Sequence, residues 1–297
     1  MNSVPFAFYD ELVLGLCYNS VTTTALCDLD GLAGAVASDL DKKLCYEKVT
    51  INNGQIVRSP DDGFEYYEHY RLVTEIWFTE TIESDDDDSD DDDEEEERPA
   101  DPKAIEEIRS YRNVPKILLA VFTSAISKDI EMAIDSLKFV TTVYFASCSS
   151  KIIARMMRKL VPKKTLTDIE YHDDDWYTDE TATLLLDLLK QDQFRFLVLK
   201  GQRSSTLLVR NIIALWYEQP EKLIGTQIIT GMSSLNRHYN KEIRKGRIRE
   251  CTEEERRFLA FYFPYMKRDK FLISKNRKGG SIYWSCDKSD RIELFFA

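Results

Sequence analysis

Three pairs of apolar residues, each pair two positions apart, recur along the chain: Val143/Phe145, Ile169/Tyr171 and Leu197/Leu199, spaced 26 and then 28 residues. A step of two puts both members of a pair on one face of a β-strand. Intervals of this length hold one strand, one helix and two short connections. The intervening residues agree, because Ile152, Ile153, Met156, Met157 and Leu160, then Leu184, Leu185, Leu188 and Leu189, then Leu208, Ile212, Leu215 and Trp216 each form a helical stripe. Strands are therefore expected at Phe139–Ala146, Thr165–Tyr171, Phe194–Lys200 and Leu223–Thr230.

This alternation predicts an α/β domain over residues 103–297, arranged as an irregular leucine-rich-repeat-like array of parallel strands backed by helices. No regular asparagine ladder is present, so an ordinary parallel α/β sheet is the alternative. In the array arrangement the residues between and flanking the paired apolar positions point out of the concave strand face, away from the helices. Tyr144, Glu170, His172, Val198 and Lys200 are thus the candidate partner-binding residues. Thr178, followed by Asp179 and Glu180, reads as a helix start with acids at its positive end.

A second feature divides the chain. Twelve of the thirteen residues Asp85 to Glu97 are acidic. Desolvating such a charge density inside a core is prohibitive, so residues 84–102 are expected to be disordered, as a linker between two dissimilar parts or as an inserted loop. Ser84 and Ser89 each precede several carboxylates and are candidate phosphorylation sites for an acidophilic kinase. Residues 1–97 carry 5 basic and 26 acidic side chains, whereas the remainder carries 35 and 26. The positive half reads as a lysine-rich solvated surface, or as a nucleic-acid surface beside an acidic run able to bind histones.

Before the run, Leu12, Val13 and Leu16, then Leu26 and Leu29, then Leu32, Val36, Leu40 and Leu44 suggest three short helices within residues 1–46. Residues 47–83 form a β-rich segment, since Asn53-Gly54 lies between two β-branched runs and signals a hairpin. The segment Phe64–Phe78 is ambiguous between helix and strand, and Tyr66, Tyr67, Trp77 and Phe78 each need partial burial.

Towards the C-terminus, Arg237, Lys241, Arg244, Lys245, Arg247 and Arg249 form a basic cluster. Thr252 and Glu255 have capping-box spacing ahead of Phe258, Leu259, Tyr262 and Phe263, with Pro264 ending that helix. Phe271–Ile273 and Ile282–Trp284 flank Gly279-Gly280 as a hairpin, and Ile292–Phe296 reads as a last strand.

No constellation for catalysis is legible. His69, His172 and His238 are isolated, and His172 with Asp173, Asp174 and Asp175 reads as a solvated loop because adjacent residues cannot all face one metal. There is no phosphate loop and no nucleophile elbow. Six dispersed cysteines without a Cys-x-x-Cys pair, no basic leader after Met1 and no long apolar stretch predict a cytoplasmic or nuclear protein with reduced thiols. No cofactor, no metal, no catalytic residue and no membrane contact is expected, and protein binding is the favoured use.

The opening Met-Asn-Ser-Val-Pro-Phe-Ala-Phe-Tyr-Asp, the short helices, the β-rich segment and the strand-helix repeats ending in Arg291-Ile-Glu-Leu-Phe-Phe296 resemble a family. It is the nematode-expanded group of F-box-like proteins with an F-box-associated C-terminal region of the FTH, leucine-rich-repeat-like type. The resemblance spans most of the chain. It implies an adaptor, in which an N-terminal segment binds the Skp-like subunit of a cullin-RING ubiquitin ligase and the repeats hold a protein substrate. Val4 and Pro5 match the pair that opens the family's box, and Leu12, Val13 and Leu16 fall at its apolar contact positions. The Cys-Lys-x-Trp ending of that box has no counterpart near Leu44 to Lys48.

Overall fold

The computed structural model describes residues 27–28, 31–41, 44–57, 70–80, 100–114, 116–172, 178–199, 205–231, 248–262, 270–275, 281–286 and 291–297. The fold is α/β. Its two compact units are Met1–Ala120 with Ile126–Val140, and Val121–Ala125 with Thr141–Ala297. The division does not fall at the acidic run, because residues on both sides of the run belong to the first unit.

In the first unit, helix α1 (Leu32–Asp41) precedes β1 (Leu44–Asn52), β2 (Gln55–Val57) and β3 (Tyr70–Thr79). Helix α2 (Pro102–Ser110), strand β4 (Lys116–Phe122) and helix α3 (Lys128–Ser136) follow. The strand order is β2-β1-β3-β4, with the β4 residues up to Ala120 belonging to this unit. The Asn53-Gly54 hairpin forms as its sequence predicts, with Asn52 opposite Gln55 and Thr50 opposite Val57. Both turn residues have positive φ, 48° at Asn53 and 77° at Gly54, which is why this dipeptide closes a two-residue turn.

Leu44, which the helical stripe would include, instead opens β1. The next residues, Cys45, Tyr46, Val49 and Ile51, suit a pleated surface better than a helix. The ambiguous aromatic segment resolves into β3, parallel to β1, with Val49 opposite Ile76 and Ile51 opposite Phe78. These four are buried. Burial of Ile51 and Phe78 stabilises the sheet by about 1.5–3 kcal/mol each. The alternate residues face outward, where the Lys48 ammonium lies 3.5 Å from the Trp77 ring centroid and Trp77 Nε1 donates to Glu75. Tyr66 and Tyr67 lie outside the described residues.

The hairpin turn also holds both ends of the acidic segment. Asn53 N–H donates to the Thr79 carbonyl (3.1 Å), and Asp101 N–H donates to the Gly54 carbonyl (3.0 Å). The chain leaves the described structure after Glu80 and returns at Ala100, within one turn's reach. Glu80 and Ala100, the described residues that flank the segment, both belong to the first unit. Asp101 then caps α2, its carboxylate accepting from Lys103 N–H, with Pro102 at the first helical position.

The second unit contains β5 (Val140–Phe145) from Thr141 onward, α4 (Ser150–Leu160), β6 (Asp168–Tyr171), α5 (Asp179–Leu189), β7 (Phe196–Leu199), α6 (Ser205–Glu218) and β8 (Gln227–Gly231). It continues with β9 (Ile248–Glu250), α7 (Glu253–Tyr262), β10 (Lys270–Lys275), β11 (Ser281–Cys286) and β12 (Arg291–Phe296). Strand order is β5-β6-β7-β8-β12-β11-β10-β9, and β5 to β8 are mutually parallel. The strands are shorter than the sequence implies, beginning at Asp168, Phe196 and Gln227 rather than at Thr165, Phe194 and Leu223.

The periodic pairs fall into register. Val143, Ile169, Leu197 and Ile228 form one cross-strand row, and Phe145, Tyr171, Leu199 and Thr230 form the next. Each of the six residues in the three pairs is at most 1% exposed, so the period reflects a packed ladder. Neighbouring parallel strands joined in sequence by right-handed crossovers keep their helices on one face, consistent with α4 packing on α5 and α5 on α6. The Thr178 start is also as expected, its hydroxyl accepting from Thr181 N–H at 3.1 Å.

Beyond β8 the sheet becomes antiparallel and both faces are covered. Phe296 lies beside Trp216 of α6, while the adjacent Phe295 joins Leu259 of α7, Ile273 and Cys251 in a separate cluster. Successive residues of a strand point to opposite faces, so α6 and α7 cover opposite sides here. The capping box at α7 forms: Thr252 N–H donates to the Glu255 carboxylate (2.8 Å) and Glu255 N–H to the Thr252 hydroxyl (3.3 Å).

Candidate partner-binding face

The side of β5–β8 away from α4, α5 and α6 carries two rows. One is Thr142, Asp168, Phe196 and Gln227, and the other is Tyr144, Glu170, Val198 and Ile229. The second row contains three of the five residues singled out from the sequence. A fourth, His172, follows β6, its N–H donating to the Phe145 carbonyl at 3.0 Å.

Tyr144, Glu170 and His172 form one cluster. The imidazole lies 4.1 Å from the Tyr144 ring centroid, and its Nε2 is 3.0 Å from Glu170 Oε2. Phe122 adds a third ring, its centroid 5.1 Å from that of Tyr144 and its plane tilted by 37°. The Glu170 side chain remains 32% exposed and that of His172 16%, so the cluster is reachable from solvent while its rings are held by their neighbours.

The β7 and β8 end of the row is buried. Val198 is 4% exposed and Ile229 7%, so Val198 belongs to the core rather than to the recognition surface expected of it. Its β-branched side chain fits a covered sheet face, and alternation within a strand cannot distinguish a covered face from an open one. Lys200 lies outside the described residues, as do Val4, Pro5, Leu12, Val13, Leu16, Ser84 and Ser89. The basic cluster does too, except for Arg249, which forms a paired contact with Glu255 through Nη1 (2.8 Å) and Nη2 (2.7 Å). That arginine holds a helix cap.

The sequence reading missed three contributors. Phe122 ends β4, whose apolar run Ile117–Val121 was the available signal. Thr142 and Asp168 lie directly opposite each other, and Asp168 Oδ2 accepts from the Thr142 hydroxyl (3.3 Å) and the Thr167 hydroxyl (2.6 Å). Chemically the face offers aromatic rings and two carboxylates. Among the described residues no group of three or more histidine, cysteine or acidic side chains is placed to hold a metal ion. No described helix is long and apolar enough to cross a membrane.

No family model, curated protein or solved structure matches the chain.

Proposed function

We propose that this chain is a non-enzymatic adaptor that binds a protein through the exposed β5–β6 part of its parallel sheet. The observation that carries this reading is the cluster of Tyr144, Glu170 and His172, which are brought together and held partly open on a sheet whose other side is packed under helices. Aromatic rings with limited rotamer freedom are effective protein-binding anchors. Together with the resemblance described above, this supports a cytoplasmic or nuclear substrate receptor of a cullin-RING ubiquitin ligase. Val4, Pro5, Leu12, Val13 and Leu16 would contact the Skp-like subunit.

Co-purification of the full chain with a Skp-like protein tests the ligase assignment. Loss of association in Leu12→Asp, with the circular-dichroism spectrum unchanged, is the expected outcome. Absence of any association overturns that assignment. A photo-crosslinking residue at position 144 tests the binding face separately, and failure to capture any protein overturns the adaptor reading.

A further inference from the structure

We propose that the outer face of α4 binds the phosphate backbone of a nucleic-acid duplex, independently of base sequence. This goes beyond the adaptor reading and does not use its β5–β6 face. In a chain of net charge -12, the stretch from Ser149 to Thr167 has no acidic residue and six basic ones: Lys151, Arg155, Arg158, Lys159, Lys163 and Lys164. At about 100° per residue, the first four fall within one arc of about 100° on α4. The rest of the circumference carries the core stripe Ile152, Ile153, Met156, Met157 and Leu160, each at most 3% exposed.

Lys151 and Arg158 are exposed, as is Lys164 just beyond the helix, whereas Arg155, Lys159 and Lys163 are half-buried and engaged within the protein. The three exposed cations are the proposed contacts. Lys151 and Arg158 stand about 10 Å apart along the axis, and Lys151 lies in the first turn, where the helix end also favours an anion. Of the acids on α5, Asp179 lies in its first turn, Asp187 pairs with Lys190, and Glu180 pairs with Arg158. That last contact takes Arg158 Nε. A guanidinium has five N–H donors, and with its side chain 55% exposed Arg158 can turn its fork to a phosphate oxygen.

The stripe also selects among polyanions. The apolar side of α4 is occupied by the core, so this helix cannot bury itself in a lipid surface as an interfacial helix does. No aromatic residue occurs between Phe145 and Tyr171, so the stripe has no ring in its own sequence on which an unpaired base could stack. A duplex requires only cations and presents about one phosphate per 1.7 Å of axis.

The full chain is titrated by anisotropy against a fluorescent mixed-sequence DNA duplex, its single strand and a polyglutamate peptide, and is sedimented with phosphatidylserine vesicles. Three phosphate contacts predict that duplex affinity falls about 40-fold between about 50 and 200 mM salt. The triple variant Lys151→Gln, Arg158→Gln, Lys164→Gln is expected to bind at least about tenfold more weakly and to lose most of that salt dependence. A matched variant, Lys190→Gln, Arg210→Gln, Lys222→Gln, removes the same charge elsewhere and is expected to stay within about twofold of the natural chain. Lys151→Gln alone should lower the salt slope by about one, which decides the matter if the triple variant does not fold.

Absence of duplex binding at the lower salt overturns the proposal. So does equal loss in the two triple variants, or a single strand, polyglutamate or vesicle bound as tightly as the duplex. The adaptor reading is judged separately, by the crosslinker at position 144.

Discussion

Thr79 and Asp101, twenty-two positions apart, are held by consecutive residues of one turn: Asn53 donates to the carbonyl of Thr79, and Gly54 accepts from the amide of Asp101. The acidic segment therefore departs from and returns to the same place. Replacing Thr81–Pro99 by about six glycines and serines should leave the fold intact and stabilise it by about 1 kcal/mol, since closing a shorter loop costs less entropy. Thermal unfolding followed by circular dichroism checks this. Added salt should raise the melting temperature of the full chain more than that of the shortened one, because screening relieves the self-repulsion of the run.

Gly54 has a second role besides its turn conformation. Its φ is 77°, and a Cβ there would sit 3.3 Å from the Ala100 Cα, a backbone atom with little freedom to yield. Gly54→Ala should cost about 1–2 kcal/mol in urea denaturation. Asn53→Gly, where φ is also positive, should change stability far less.

At the start of α7, the paired Arg249 contact and the Thr252 amide hold the Glu255 carboxyl down at about 2, against an ordinary value of 4.5. Between these values the unfolded chain binds the proton and the folded one does not. The stabilisation is thus fully present above pH 4.5 and is lost as the pH falls towards 2. The stability gap between the natural chain and Glu255→Gln should follow that course, wide at neutral pH and closed near the lower limit, in denaturant titrations across the range.

Burial in the Leu259–Ile273–Phe295 cluster, with the nearby Glu255 charge, pushes the Cys251 thiol up to about 11 from its usual 9.0. Its thiolate fraction at pH 8 should be roughly a hundredfold below that of an ordinary cysteine. Alkylation with iodoacetamide and peptide mapping should show Cys251 protected in the native protein and reactive in urea. Equal reaction in both would show that the cluster opens readily.

What could be read from the sequence follows from which interactions are periodic. The pairs Val143/Phe145, Ile169/Tyr171 and Leu197/Leu199 were legible because burial against one helix layer repeats with each strand, and the spacing carried even the cross-strand register. Local hydrogen-bonding devices were legible as well: the Asn53-Gly54 turn, the Thr178 cap and the Thr252–Glu255 box each need only neighbouring residues. Val198 was misjudged because covering of the second sheet face is a tertiary event with no local signature. Asp168 was missed for a related reason, since its meaning comes from Thr142 on the next strand. Leu44 satisfied a helical stripe, yet it begins a strand that gains more by pairing with β3 than α1 would gain from another turn.

The turn at Asn53-Gly54 has a consequence for proteolysis. A protease cutting between Thr81 and Pro99 would sever the backbone but not the β3–β4 neighbourhood, so the halves would stay docked through the sheet and behave as one particle on a native sizing column. They would part only in denaturant. Two cuts, one at each end of the acidic tract, would thus remove its charge from this protein without dismantling it.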